Sequence, residues 1–152
     1  MRQQSEDDST DGLFAIVVAG VCIVDSRIAL VRRSLNDSIK PGAWSVPGGH
    51  VCHGETVEEA LRREILEESG IEVKDAVLVG TSAYEEPAPR RSVSVIQLNY
   101  LVHCDPCDLS VQSSEVLDAR WVASDELEGM DLDAFTRNIL DQALGKGMAQ
   151  DL

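Results

Sequence analysis

The sequence predicts a mixed α+β domain. Extended segments outnumber helical ones, one strong amphipathic helix interrupts them early, and a second helical pattern closes the chain. A length of 152 residues with 43% apolar side chains suits a single core. Aromatic residues supply only 4%, so Val, Leu, Ile and Ala must fill that core.

Residues 1–12, MRQQSEDDSTDG, are polar and acidic and are expected to be disordered. One domain is expected over 13–145, with a short tail at 146–152. The apolar run from Phe14 to Val24 reads as a buried strand, followed by a turn at Asp25-Ser26 and a second strand, RIALVRR, over 27–33. Turn formers Asn36, Asp37, Pro41 and Gly42 mark 34–43 as a loop. A short extended piece, Trp44 to Val46, ends at Pro47-Gly48-Gly49. Thr56 and Glu59 form a T-x-x-E capping box, so a helix should start near Val57 and run to Ser69, with Gly70 as its stop. Val77 to Tyr84 is a strand, 85–91 (EEPAPRR) a loop, and Ser92 to Cys104 the longest strand. There Ile96, Leu98, Tyr100 and Val102 share one face and Gln97 and Asn99 the other; the phase of Val93 and Val95 predicts a bulge near Val95-Ile96. Val116 to Val122 alternates through Leu117, Ala119 and Trp121. The last helix is expected over Asp131 to Leu144, with Leu132, Phe135, Ile139 and Ala143 inward.

The formal charge is −14. Such a surface repels nucleic acid and anionic membranes and attracts cations, so neither of those partners is expected. Only Lys40, Lys74 and Lys146 are lysines while Asp is abundant, a balance resembling that of salt-adapted proteins that a GC-rich genome would also produce. The apolar run after Leu13 is too short to cross a bilayer, and acids precede it where a signal peptide carries positive charge. A cytoplasmic location follows as the expectation, with Cys22, Cys52, Cys104 and Cys107 as free thiols. A zinc site built from His103, Cys104 and Cys107 with His50, Cys52 and His53 lacks the second C-x2-C of a ribbon, and the thiol reading is preferred.

The chemistry concentrates in 49–71, GHVCHGETVEEALRREILEESGI. On a helical wheel Val57, Ala60, Leu61 and Ile65 define the apolar arc. Glu64 and Glu68 fall inside that arc, and Glu67 lies just beside it. A Glu-rich helix is ordinarily a solvated face, but these acids are on the wrong side for that. Carboxylates four apart repel each other, and burial raises the cost. Arg62 and Arg63 are expected to point away from this face, which leaves a divalent cation as the natural compensation. All-oxygen ligands suit Mg2+ or Mn2+.

This segment resembles the Nudix box, G-x5-E-x7-R-E-U-x-E-E-x-G-U with U a bulky aliphatic. Gly49, Glu55, Arg63, Glu64, Ile65, Glu67, Glu68, Gly70 and Ile71 fill every defined place. The resemblance implies an α/β/α sandwich with a mixed sheet, and Mg2+-dependent hydrolysis of nucleoside diphosphates linked to another moiety. It also implies that Glu64, Glu67, Glu68 and the Gly48 carbonyl ligate metal. By the same likeness Arg63 orients the neighbouring carboxylates with Glu55 as its ion-pair partner. The general base is Glu64 or Glu115. Arg33 resembles a substrate-contacting arginine of some members. Pro87, sixteen positions past Ile71, is similar to a mark of ADP-ribose pyrophosphatases, and Arg90 and Arg91 beside it are placed to meet a distal phosphate or ribose. Trp44 and Tyr84 are aromatic side chains that could stack on a base, with packing preferred for Trp44. The expected substrate is therefore a small nucleoside diphosphate derivative, ADP-ribose or a nucleotide sugar first, with oxidised or ordinary nucleoside triphosphates as the alternative. A non-catalytic nucleotide sensor is the rival from another class, and a homodimer is the oligomer kept in view.

Overall fold

A computed structural model describes residues 12–37 and 40–145. The expected tail at 146–152 and, apart from Gly12, the expected disordered segment lie outside the described residues. The chain runs β1 (Phe14–Val24), β2 (Arg27–Arg33), β3 (Trp44–Ser45), β4 (Gly48–His50), α1 (Val57–Ser69), β5 (Asp75–Glu86), β6 (Val93–His103), β7 (Val116–Ala123), a 3-10 helix (Ser124–Gly129) and α2 (Ala134–Leu144).

Five strands form the path β3-β2-β1-β6-β5, with β4 attached to β1 and β7 to β2. β1 pairs parallel with β6, and the other pairings are antiparallel, so the sheet is mixed. Along its second edge β1 changes partner, from β4 at Val17–Ala19 to β2 at Ile23–Val24. The hairpin between β1 and β2 turns on Asp25 and Ser26, both at positive φ (52° and 63°), as a two-residue primed turn requires.

Both faces of the sheet are covered, giving the α/β/α sandwich. α1 packs Ala60, Leu61 and Ile65 against Val18, Cys22 and Val102. On the opposite side Ile139 and Leu140 of α2 pack with Ala19, Val21, Ile28, Leu30 and Val122. The approach of α1 is close: a Cβ on Gly20 would lie 2.6 Å from Ile65 Cδ1.

The boundaries of β1, β2 and α1 agree with the sequence reading. Thr56 Oγ1 accepts the Glu59 N–H (3.1 Å) and Glu59 returns the bond to the Thr56 N–H (2.9 Å), while Gly70 closes the helix at φ 80°. Three expectations are corrected. β6 carries no bulge: its register with β1 is continuous from Ser94 to Val102. The irregularity falls between Leu78 and Gly80 of β5. β6 is hydrogen-bonded on both sides, so an extra residue there would break two ladders, whereas edge strand β5 breaks only one. Secondly, 48–50 is a strand rather than the end of a turn. Thirdly, α2 starts at Ala134 because Asp133 caps it, its Oδ1 accepting from the Phe135 and Thr136 N–H groups at 3.0 and 2.9 Å; the 3-10 helix before it was not anticipated.

Replacing Thr56 by Ala removes one half of the capping box. Denaturant unfolding should show a loss of about 1 kcal/mol with an unchanged m value.

Candidate active site

β4 and α1 build the site between them. Gly48 and Gly49 pair with Ala19 and Val18 of β1, and neither position has room for a side chain. A Cβ on Gly48 would meet the Val18 carbonyl oxygen at 2.1 Å, and one on Gly49 would meet Glu64 Cδ at 2.4 Å. The missing Cβ of Gly48 lets β4 lie close against β1, and that of Gly49 leaves room for the Glu64 carboxylate beside β4. Glu68 is 4% exposed and its Oε1 accepts the Gly48 N–H at 3.0 Å; Glu64 is 7% exposed. The wheel reading of these two acids agrees with their burial.

The wheel reading of Arg63 does not. Arg62 does turn away, donating to the carbonyls of Val73 and Lys74. Arg63 instead folds its long side chain back along the helix. It grips Glu55 with two nitrogens (Nε–Oε2 2.6 Å, Nη2–Oε1 3.0 Å) and reaches Glu64 Oε1 at 2.8 Å and Glu67 Oε1 at 3.4 Å. A wheel places the Cα, but an arginine head several bonds away can serve the adjacent residue. The Arg63 hydrogen bonds, with the Cys52 N–H at 2.9 Å, hold the Glu55 carboxyl at about 2.

Glu115, exposed in the turn just before β7, completes the cluster. Carboxylate oxygens of Glu64, Glu68 and Glu115 lie within 4.8 Å of one another. Among the described residues this is the one group of three or more His, Cys, Asp or Glu side chains close enough to share an ion. Among the described residues no group of this kind includes His103, Cys104 and Cys107. Glu67 stands outside the group with its side chain 44% exposed. Burial, with Glu64 and Glu115 nearby, pushes the Glu68 carboxyl up to about 8. Burial also raises that of Glu64, against the opposing pull of Arg63. Two buried acids beside a third oxygen donor match the needs of a hard cation such as Mg2+ or Mn2+.

A cleft of about 440 Å³ opens from this cluster. Glu68, Glu115 and Gly48 line it, as do Tyr84, Phe135 and Asp133. Arg33 is on its wall, but its guanidinium is already held by Asp133 (2.8 and 3.1 Å) and Asp37 (3.0 Å). Burial acts to lower its pKa; Asp133 and Asp37 outweigh that and raise it. The Tyr84 and Phe135 rings pack with centroids 4.6 Å apart. The Tyr84 hydroxyl donates to Gln97 Oε1 (3.2 Å), and Gln97 Nε2 donates to Asn99 Oδ1 (2.9 Å). Gln97, Phe135 and Asp133 were not anticipated as site residues. The signal available for Gln97 was its place with Asn99 on the face of the strand opposite Ile96, Leu98, Tyr100 and Val102.

Pro87, Arg90 and Arg91 lie on the exposed loop joining β5 to β6 and do not line the cleft. The neighbouring Glu86 does, and its Oε1 is 3.2 Å from His50 Nε2. Trp44 packs against the core that holds Ile28, Leu30 and Val46, and the Arg120 guanidinium sits 5.1 Å from its ring centroid, in keeping with a packing role.

Comparison with known proteins agrees with this geometry. The NUDIX domain family model matches residues 15–143. A MutT-like protein of Streptomyces ambofaciens is 30% identical over 95% of this chain and 86% of its own length. An ADP-ribose pyrophosphatase of Methanocaldococcus jannaschii is 42% identical over 52% of this chain, and the match spans 46% of that relative's length. The crystal structure of a MutT NUDIX hydrolase from Burkholderia pseudomallei superposes with a TM-score of 0.72 at 29% identity, over 85% of this chain and 97% of the other.

The raised Glu68 carboxyl fixes a pH dependence for the metal-free protein. Its folded pKa, about 8, lies above the ordinary carboxyl value of 4.5, so the native state holds the extra proton between those values. Its contribution to stability is fully present below pH 4.5 and is lost as pH rises toward 8. Thermal unfolding in chelator should show that decline in wild type and a flatter profile in Glu68→Gln.

Proposed function

The chain belongs to the Nudix family, and on that premise we propose that it hydrolyses a phosphoanhydride bond in a nucleoside diphosphate linked to another group. The observation that carries this reading is the convergence of Glu64, Glu68 and Glu115, two of which line a nucleotide-sized cleft. A diphosphate is itself an anion, and an acidic site receives it only through bridging cations. Glu64 and Glu68 would hold Mg2+ or Mn2+, with Glu67 and the Gly48 carbonyl as further ligands. When bound, the ion neutralises phosphoryl charge and polarises the bond to be cut.

The chain's own residues supply the rest. Arg63, fixed by Glu55, orients Glu64 and keeps one of its oxygens occupied. Glu115 is the preferred base, because it is exposed, lines the cleft and is free of the bond that commits Glu64 to Arg63. Its carboxylate takes a proton from the attacking water. The water oxygen bonds to phosphorus, and the anhydride P–O bond breaks with its electrons on the leaving phosphate. Arg33 meets a phosphate from the cleft wall, and Tyr84 and Phe135 offer a ring surface to a base.

ADP-ribose is the first substrate proposed. The match to an ADP-ribose pyrophosphatase supports it; Pro87, Arg90 and Arg91 stand on the β5–β6 loop outside the cleft lining, so they would reach only a part of the substrate that projects from it. The products would be AMP and ribose 5-phosphate. A second reading, release of pyrophosphate from nucleoside triphosphates, draws on the MutT-like relative, which matches nearly the whole chain.

A panel of nucleotides at equal substrate and Mg2+ concentration separates the two. ADP-ribose and related nucleotide sugars should give the highest kcat/KM. Triphosphates turning over about tenfold faster, a difference of about 1.4 kcal/mol in transition-state stabilisation, would install the second reading. No turnover of any member, with binding retained, would favour the sensor.

Roles divide by rescue. Glu115→Gln should lower the rate by about 10² to 10⁴, and excess Mg2+ should not restore it. Glu68→Gln should lose activity that excess Mg2+ partly recovers. A larger unrescued loss in Glu64→Gln than in Glu115→Gln would transfer the base to Glu64.

A further inference from the structure

A contact that the hydrolytic chemistry does not use crosses the cleft side of the sheet. β4 and β5 are not neighbours, because β1 and β6 lie between them. Yet His50 of β4 and Glu86 of β5 reach each other, Nε2 to Oε1, at 3.2 Å. Both line the cleft, as do Val17 and Gln97, register partners on the two intervening strands. The pair is thus a crossbar. A carboxylate oxygen accepts, so the His50 Nε2–H is the donor in this contact. His50 is exposed and Glu86 half-buried, so a ligand in the cleft can reach both.

Residues two apart on a strand share a face, and each half of the crossbar stands two residues from a group already given a role. Gly48, before His50, bonds to Glu68 of the acidic cluster, and Tyr84, before Glu86, packs its ring on Phe135. In any nucleotide the ribose lies between the base and the first phosphate. With the diphosphate at the acidic cluster and the base against the two rings, the ribose falls at the crossbar. Glu86 has the wrong charge for a phosphate, but a carboxylate is a fitting acceptor for ribose hydroxyls. We propose that Glu86 and His50 make the cleft selective for ribonucleotides: the vicinal hydroxyls of the nucleoside ribose replace the crossbar, one donating to Glu86 and one accepting from His50 Nε2–H. Loss of either hydroxyl leaves half of the crossbar without its replacement. Neither residue acts on the bond to be cut, so the discrimination belongs mainly in KM. The inference rests on the hydrolytic reading for the placement of base and diphosphate, and adds to it what tells ribose from deoxyribose.

The test measures kcat and KM of the full chain with Mg2+ for ADP-ribose against its 2′-deoxyadenosine form, and for ATP against dATP. In whichever pair turns over, the ribonucleotide should be preferred by about 10- to 100-fold in kcat/KM, as loss of a hydrogen bond to a charged group predicts. Glu86→Ala should bring that ratio to within about threefold, and Glu86→Gln, of the same shape, should lower it too. Equal kcat/KM within each pair in wild type, or a preference unchanged in the variants, overturns the proposal and leaves hydrolysis standing. No turnover of either pair removes the hydrolytic reading instead. Calorimetric binding of AMP and 2′-deoxy-AMP then decides: tighter AMP binding that depends on Glu86 sustains the selectivity, and equal affinities or no binding of either overturn it.

Discussion

The structure depends on one contact, that of α1 with the backbone of β4. Two carboxylates spaced four residues apart sit on the core-facing side of a helix, where charge is costly. They are tolerated because β4 has no side chains there to displace them and because its backbone offers Glu68 an N–H. Arg63 relieves Glu64 but is shared with Glu55 and Glu67, and Glu68 has no comparable cationic contact of its own. The result is a pocket of negative charge that the fold holds in place without neutralising it. The rest of the arrangement, from the β1–β4 pairing to the turn that brings up Glu115, frames that unbalanced charge.

The fold was legible where local chemistry was strong. The capping box and Gly70 gave α1 to the residue, and the long apolar run gave β1. The acidic cluster was legible for a physical reason as well as a resemblance, since wheel position alone placed Glu64 and Glu68 inward. What escaped was set by partners distant in sequence. The bulge moved to β5 because pairing on both sides of β6 forbade it there, and no single strand's pattern carries that information. Arg63 was misplaced because a wheel reports Cα direction and not side-chain reach. Gln97 and Asp133 entered the cleft only through tertiary packing: one is buried beneath Tyr84, and the other, 2% exposed, holds Arg33 from a hundred residues away in the chain. The loop residues Pro87, Arg90 and Arg91 illustrate the converse, a local signal that the packing does not draw into the cleft.

Two groups of cleft residues differ in kind. The acidic cluster is built from regular elements with backbone and side-chain locks, which suits chemistry that tolerates little displacement. The other group combines one aromatic pair, a chain of amides and an arginine already matched by two aspartates. Its polar groups are mutually satisfied, so a ligand there has to exchange one set of hydrogen bonds for another. Discrimination at such a site follows from how well a ligand replaces what it displaces, more than from how many contacts it makes.

Asp133 divides its labour by atom. Oδ1 starts α2, through the N–H groups of Phe135 and Thr136 and the Thr136 hydroxyl, and Oδ2 holds Arg33 of β2. One carboxylate thus sets both where a helix begins and where an arginine of the cleft lining stands. The two are therefore genetically linked: a change at this position alters helix start and cleft charge together, and its effect depends on what occupies position 33. Variation in this part of the molecule has to travel in coordinated steps, because no single substitution there has only one consequence.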